Sequence, residues 1–438
     1  MNQFTRLAGP EMILRARYAA LGLIGTGLLY AEGVLKNAVI EVGLVVPILW
    51  VMVSSRFSDR EKGIMVAMAA GCLTLVLCDL LVRPIAPGYL HYAPHNMYSR
   101  NLPALPMLGR WDADVRFRGM AYGDLAAMSG NSALREPREI VFQTDPWGFR
   151  NERRPERIDI VVLGDSFAAG LGTTQERIFS TLLERISGRS VYNLSYPGGP
   201  YDEFLNWVIE SPALQLTANA DLIWILYTGN DLQDAGGDIW DSATLPWNSA
   251  IGALAVQYRT FRNRSPLNQL MERIRARFHA PAADDVLVRG LPDGRPVLFA
   301  GWQEMWSRRS ADEITTLVNF TRLVKTMEAM ARAATERGVR LSIFIMPTKG
   351  QVYPWVVHQQ QPSIEPGGSS GFTRAVLAAC ETLGLRCFDT APFLVREAAT
   401  LYQSSGELLW WRDDTHLGDA GHHAVVKFLL EHIVPTVP

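Results

Sequence analysis

The chain has 438 residues, 48% of them hydrophobic and 20% charged, with a formal net charge of −2. That length allows one large folded domain plus further material, and the near-neutral balance gives no electrostatic footprint for nucleic acid. The four cysteines, Cys72, Cys78, Cys380 and Cys387, form no C-x-x-C pair, which excludes a zinc ribbon and a thioredoxin-like motif. Cys380 and Cys387 can bridge in an oxidising compartment, and two buried free thiols are an equally good reading.

In chain order, the first elements are apolar. Residues 18–35, 38–53 and 63–82 form three long apolar runs. A membrane span needs about 20 residues. The first and third runs qualify, with Glu32 and Asp79 near their ends. The second carries Glu41 and Pro47, and Ser54 and Ser55 can extend it. Soluble helices are usually amphipathic, whereas these are apolar on nearly every side. Three successive runs also do not fit a cleaved signal peptide. Residues 1–83 are therefore expected to form a membrane anchor of about three transmembrane helices, with membrane lipid as a partner. Arg6, Arg15 and Arg17 precede the first run, and Arg56, Arg60 and Lys62 separate the second from the third. Only Lys36 separates the first two. The positive-inside rule then puts the N-terminus in the cytoplasm and everything after Arg83 on the extracytoplasmic side of the inner membrane.

Residues 84–157, rich in proline and polar breakers, read as an extracytoplasmic linker that packs on the domain of residues 158–438. From Ile158 the pattern becomes α/β. Strands are expected at 158–163, 190–194, 221–227, 339–347 and 385–389. Helices are expected at 176–186, from 202, and at 312–337, 372–383 and 421–433. Such alternation predicts a parallel sheet covered on both faces, with active residues at the carboxyl ends of its strands. Residues 234–311 read as an insertion with a basic amphipathic stretch, "NQLMERIRARFHA", and a hairpin, "VLVRGLPDGRPVLFA", turning at Pro-Asp-Gly.

The chemistry starts at "VVLGDSFAAG", where a buried strand runs into Ser166. A serine there projects from the sheet edge near backbone N–H groups that can stabilise an oxyanion. It can also simply cap the next helix. The G-x-S-x-G elbow of α/β-hydrolases is not met, because Ala168 holds the last position. A nucleophile needs a base and an orienter for that base. The C-terminal "WWRDDTHLGDAGHH" supplies His416 with Asp414 two residues before it and Asp413 three before. His416, His422 and His423 are close in sequence, but no further ligand is evident, so no metal and no cofactor is expected. Gly198 follows the second strand and Asn230 the third, at the same sheet edge, where a glycine N–H and an asparagine amide could complete an oxyanion hole.

In order, "GDSF", the glycine after "NLSYP", "GND" and "DDTH" resemble the four blocks of the SGNH or GDSL-type hydrolase superfamily. The resemblance implies a flavodoxin-like three-layer α/β/α sandwich and metal-free esterase chemistry. Carried over, Ser166 is nucleophile and oxyanion donor, Gly198 and Asn230 are further oxyanion donors, and His416 is the base. Thr228 stands where the third block usually has glycine. In the last block the D-x-x-H register selects Asp413, and the D-T-H spacing of alginate-acetylation proteins selects Asp414, which is favoured. "IMPTKGQVY", the "LPDG" hairpin and "DTHL…GH" are similar to SGNH-like domains of exopolysaccharide acetylation proteins. Among the tryptophans able to stack on sugar rings, Trp410 and Trp411 closely precede the catalytic turn and are candidate substrate-binding residues.

The expectation is thus a membrane-anchored serine esterase or O-acyltransferase acting on acylated, chiefly acetylated, cell-envelope carbohydrate, with a membrane-bound acyl-donor partner if it transfers. A lipase or lysophospholipase and a non-catalytic polysaccharide-binding scaffold are the alternatives.

Overall fold

A computed structural model describes residues 98–101, 108–235, 285–358 and 369–433, with isolated positions before residue 98. The three apolar runs and the basic amphipathic stretch of the insertion lie outside the described residues. Among the described residues no helix is long and apolar enough to cross a membrane.

The first elements are small. β1 (Ser99–Asn101) pairs antiparallel with β2 (Gly109–Trp111), and β3 (Arg116–Ala121) pairs with β4 (Arg138–Gln143) across the short helix α1 (Asp124–Ser129). The alternating part follows as β5 (Ile158–Leu163), α2 (Phe179–Ser187), β6 (Val191–Asn193), α3 (Pro200–Glu210), β7 (Leu216–Tyr227) and α4 (Asp231–Asp234). The expected hairpin is β8 (Val286–Gly290) with β9 (Pro296–Ala300). Then come α5 (Gly301–Ser307), α6 (Ala311–Thr315), α7 (Val318–Glu336), β10 (Arg340–Met346), α8 (Lys349–Val352) and α9 (Pro354–Val357). The chain closes with α10 (Gly371–Leu383), β11 (Arg386–Asp389), α11 (Ala391–Ser405) and α12 (Asp419–Ile433).

Five strands form one parallel sheet in the order β11-β10-β7-β5-β6. Counted in order of appearance this is the doubly wound 2-1-3-4-5 arrangement, which matches the flavodoxin-like expectation. The chain runs from β5 outward to β6 and returns on the other side as β7. Ligands bind such sheets in the crevice at this reversal, beyond the carboxyl ends of the strands.

Side chains of a strand alternate between faces. Ile160, Val162, Ile223, Ile225 and Phe344 enter one core, with Phe179 and Leu183 of α2 and Val425, Phe428 and Leu429 of α12. Val161, Leu163, Leu222, Trp224 and Ile343 enter the other, with Trp207 of α3, Leu323 and Met327 of α7 and Phe372 of α10. Both faces are thus buried, which is why these strands read as continuous apolar runs. Burying each large side chain contributes roughly 1.5–3 kcal/mol.

Several elements differ from the sequence reading, two of them long helices. The helix expected over 312–337 is two helices. A capping box, Ser310 with Glu313, starts α6, and α7 begins again after Leu317. α11 is absent from the expectation, although Phe393, Leu394 and Val395 are buried. Its remaining buried positions are the alanines 391, 398 and 399, which give a weak apolar stripe. Cys380 and Cys387 form a disulfide joining α10 to β11.

The described part of residues 84–157 does more than link. Arg150, 1% exposed, sends its guanidinium beneath the turn after β5. There it donates to the Thr173 carbonyl at 2.5 Å, to the Ala169 carbonyl at 3.3 Å and to Gln175 Oε1 at 3.1 Å.

Candidate active site

β5 ends at Leu163 and the chain turns at Gly164. A Cβ at Gly164 would lie 2.7 Å from the Ala168 Cβ and 3.0 Å from the Ile225 carbonyl, so only glycine fits this close approach. The Asp165 carboxylate accepts the Phe167 N–H at 2.8 Å, and its carbonyl accepts the Ala169 N–H at 2.9 Å. These bonds close the turn that presents Ser166.

The second half comes from residues 409–418. Trp410 and Leu417 form an isolated bridge, and the Gly418 N–H donates to the Leu409 carbonyl at 2.7 Å. The loop carries His416 to Ser166. His416 Nε2 is 2.9 Å from Ser166 Oγ, and its Nδ1 is 2.8 Å from Asp414 Oδ1. Asp414 Oδ1 also accepts the His416 main-chain N–H at 3.1 Å, a local bond that fixes carboxylate and ring together.

Asp413 faces away from the imidazole. Its Oδ1 accepts Arg138 at 2.9 Å, and its Oδ2 accepts the main-chain N–H groups of Gly123 and Glu136, each at 2.7 Å. Arg138 bridges both acids, bonding Asp414 Oδ2 as well, and donates to the Gly172 carbonyl at 2.8 Å. Gly172 has a φ of 79°, and a Cβ there would sit 3.2 Å from Asp414 Oδ2.

Two further groups hold the loop. Lys349 Nζ donates to the carbonyls of Trp411, Arg412 and Asp414 at 2.6, 3.0 and 3.1 Å. The Leu409 N–H donates to the Tyr353 hydroxyl at 2.6 Å. Both belong to the "IMPTKGQVY" stretch, so its lysine and tyrosine clamp the histidine loop. Asp124 accepts from Thr415 at the adjoining peptide. Sequence reasoning missed Asp124, Arg138 and Arg150, because they lie upstream in an irregular segment with no motif. Lys349 and Tyr353 carried a resemblance but no role.

The charges fit this arrangement. Burial works against ionisation of Asp414, but hydrogen bonding and charge from His416, with Arg138, hold its carboxyl well below the usual carboxylate range. Burial opposes the imidazolium of His416, yet the hydrogen bond and charge of Asp414 prevail and raise it above its ordinary value. Burial pushes the Lys349 ammonium down to about 7, against the pull of Asp413 and Asp414.

Asn230 leaves the end of β7 and lies against the residue before Ser166. It donates to Asp234 Oδ2 at 2.8 Å, while its Oδ1 is buried without a partner among the described residues. Gly198 precedes α3, and a Cβ there would lie 3.0 Å from Asp202 Oδ2. Ser166, Gly198 and Asn230 thus follow the carboxyl ends of β5, β6 and β7.

The tryptophans separate. Trp410 is 1% exposed and packs edge-on to Tyr353 in the core, which corrects its assignment as a stacking platform. Trp355 is equally buried. Trp411 is half-buried, lies 4.4 Å from the Arg138 guanidinium and hydrogen-bonds Thr173. It lines a cleft of about 380 Å³ together with Arg177, Arg295 and Arg412.

His422 and His423 belong to α12. His422 Nδ1 accepts the Phe179 N–H at 3.2 Å, and burial lowers this imidazole to about 3. The described residues contain one group with metal-ligand spacing, Asp124, Asp414 and His416. An ion there would have to break the Asp414–His416 hydrogen bond and share Asp414 with the Arg138 cation.

No family model matches the chain, and no curated protein matches it either. Among solved structures, the chain is similar to TesA at 12% identity and a TM-score of 0.31, over 63% of this chain and 98% of that one. An acetyl xylan esterase, AlAXEase, aligns at 13% identity and a TM-score of 0.29, over 63% of this chain and 100% of that one. The psychrotrophic esterase EstA from Pseudoalteromonas sp. aligns at 11% identity and a TM-score of 0.29, over 64% of this chain and 97% of that one.

Proposed function

We propose that the chain is a serine ester hydrolase or O-acyltransferase of SGNH type. Its substrates are acyl, chiefly acetyl, esters of cell-envelope or exopolysaccharide carbohydrate, met outside the cytoplasm by a domain anchored through residues 1–83. The observation that carries the ester chemistry is the unbroken chain from Ser166 Oγ through His416 to Asp414, with links of 2.9 and 2.8 Å.

In this reading Ser166 Oγ attacks the ester carbonyl while His416 Nε2 takes the hydroxyl proton. Asp414 stabilises the imidazolium, and the N–H groups of Ser166 and Gly198 with the Asn230 amide receive the oxyanion. Collapse expels the alcohol, which takes the proton back from His416. Water, or a carbohydrate hydroxyl in the transferase case, then enters the acyl-enzyme by the same steps. Asn230 would exchange its bond to Asp234 for the oxyanion, as catalytic hydrogen bonds often tighten only in the complex.

The Cys380–Cys387 disulfide supports an extracytoplasmic site, because disulfides persist in oxidising compartments. The carbohydrate half of the reading rests on the resemblance of the "IMPTKGQVY" and "DTHL" stretches, whose residues brace one loop. Transfer would need a donor handed across the membrane by a partner protein.

The test is labelling and turnover. An organophosphonate should modify Ser166, and Ser166→Ala should abolish labelling and lower turnover by about 10⁶-fold. Acetate release from O-acetylated polysaccharide, compared with fatty acid release from micelles, separates the carbohydrate reading from a lipase. Near-full activity in Ser166→Ala would refute the mechanism.

A further inference from the structure

The loop that carries His416 is held by a carboxyl from far upstream. Asp124 opens α1, and its Oδ1 accepts the Thr415 N–H at 2.8 Å while its Oδ2 accepts the Thr415 hydroxyl at 2.5 Å. Thr415 Oγ1 is itself 3.3 Å from His416 Nδ1. The same helix end grips the neighbouring residue, with the Ala126 N–H donating to the Asp413 carbonyl at 3.1 Å. Asp414 is therefore flanked on both sides by residues pinned to α1. Polar atoms of Asp124, Asp414 and His416 all lie within 4.8 Å of one another.

We infer that Asp124 is a positioning residue for the triad, setting both the orientation of the His416 loop and the proton affinity of His416. This rests on the serine-hydrolase reading above and adds a member to its site.

Two carboxyls this close do not both ionise freely. Asp414 keeps its charge because Arg138 and His416 face it, so the proton stays on Asp124. Burial first, and the charge of Asp414 second, push Asp124 up to about 7. The charged groups around it are Asp414, His416 and Lys349, with Asp413, Arg138 and Glu136 behind the same loop. Below about pH 7 Asp124 is neutral, and the base works against Asp414, joined above about pH 6 by Asp165. Above about pH 7 the further negative charge on Asp124 favours the imidazolium and opposes formation of the free base. His416 and Asp124 then titrate as a pair.

The test uses the full chain with Asp124→Asn and Asp124→Ala. The midpoint of His416 is followed by NMR with labelled histidine, assigned by its loss in His416→Gln, alongside the pH profile of kcat/KM on an aryl acetate. Asp124→Asn removes the charge but keeps an acceptor for the Thr415 N–H. It should move the His416 midpoint and the acid limb down by about 1 unit. Asp124→Ala should show the same shift and a loss in kcat of at least about tenfold, larger than any change in KM. A purely structural Asp124 would reduce folded protein in both variants and leave the midpoint in place, and an unmoved midpoint in Asp124→Asn overturns the inference. Thr415→Val severs the hydroxyl link and keeps both carboxyls, and an unchanged kcat in that variant also counts against it. If Ser166 is not an ester nucleophile, no variant turns over ester, and the NMR midpoint still decides the role of Asp124.

Discussion

Lys349 Nζ donates a 3.1 Å hydrogen bond to the main-chain carbonyl of Asp414, so a buried ammonium holds the peptide that presents the triad carboxylate. It collects two more carbonyls of the same loop, those of Trp411 and Arg412. No neutral side chain of similar length can replace three donors. Lys349→Met should therefore lower kcat by about 10²-fold through a misplaced base, and Lys349→Arg should not restore it, because the planar fork does not fit three converging carbonyls. Steady-state kinetics on an aryl acetate checks this. A pure KM effect would assign Lys349 to substrate instead.

The two adjacent acids should behave differently. Asp414→Asn removes the negative charge and can turn an amide NH2 towards His416 Nδ1, which favours the wrong tautomer and should cost roughly 10⁴-fold in kcat. Asp413→Asn leaves the triad link intact but weakens a buried contact with Arg138 and the N–H groups of Gly123 and Glu136. Its cost should appear in stability, by about 3 kcal/mol or more, with a much smaller change in kcat. Thermal melts and kinetics measured on the same preparations separate the two effects.

Asn230→Ala should lower kcat by about 10²–10³-fold with little change in KM, the pattern of a group that acts on the oxyanion. Retained kcat would leave Asn230 as a prop for Asp234, to which it already donates.

Two acids, buried Asp165 and half-buried Asp202, should give stability a pH dependence. Burial, only partly offset by the Gly199 N–H, raises Asp202 to about 6, and burial likewise raises Asp165 to about 6. Both bind protons more tightly folded than unfolded. Their contribution is complete below about pH 4 and is lost as pH rises through about 6. Asp202→Asn keeps an acceptor for the Gly199 N–H and cannot ionise. It should gain up to about 3 kcal/mol over the parent at pH 8 and little at pH 4. Denaturant titrations at the two pH values test this, and an equal effect at both would exclude the titration of Asp202 as the cause.

The sheet and several of the residues that meet at its carboxyl edge could be read without a structure. Strands buried on both faces appear as unbroken apolar runs, so β5, β7 and β10 were legible, and Ser166 was legible as the serine where one of them stops. His416 stood out because a base needs an acid nearby and "DDTH" offers two. Between Asp413 and Asp414 the tertiary structure decided: both are at turn spacing from His416, and the choice depends on Arg138, Gly123 and Glu136 claiming Asp413. Asp124, Arg138, Arg150 and the clamp of Lys349 are likewise products of folding. They act across 19 to 291 residues of chain, and a contact made that far away leaves no spacing in the sequence to read. Trp410 shows the converse. Its position beside the site was legible, but whether its ring faced substrate or core depended on Tyr353 and Phe167 packing against it.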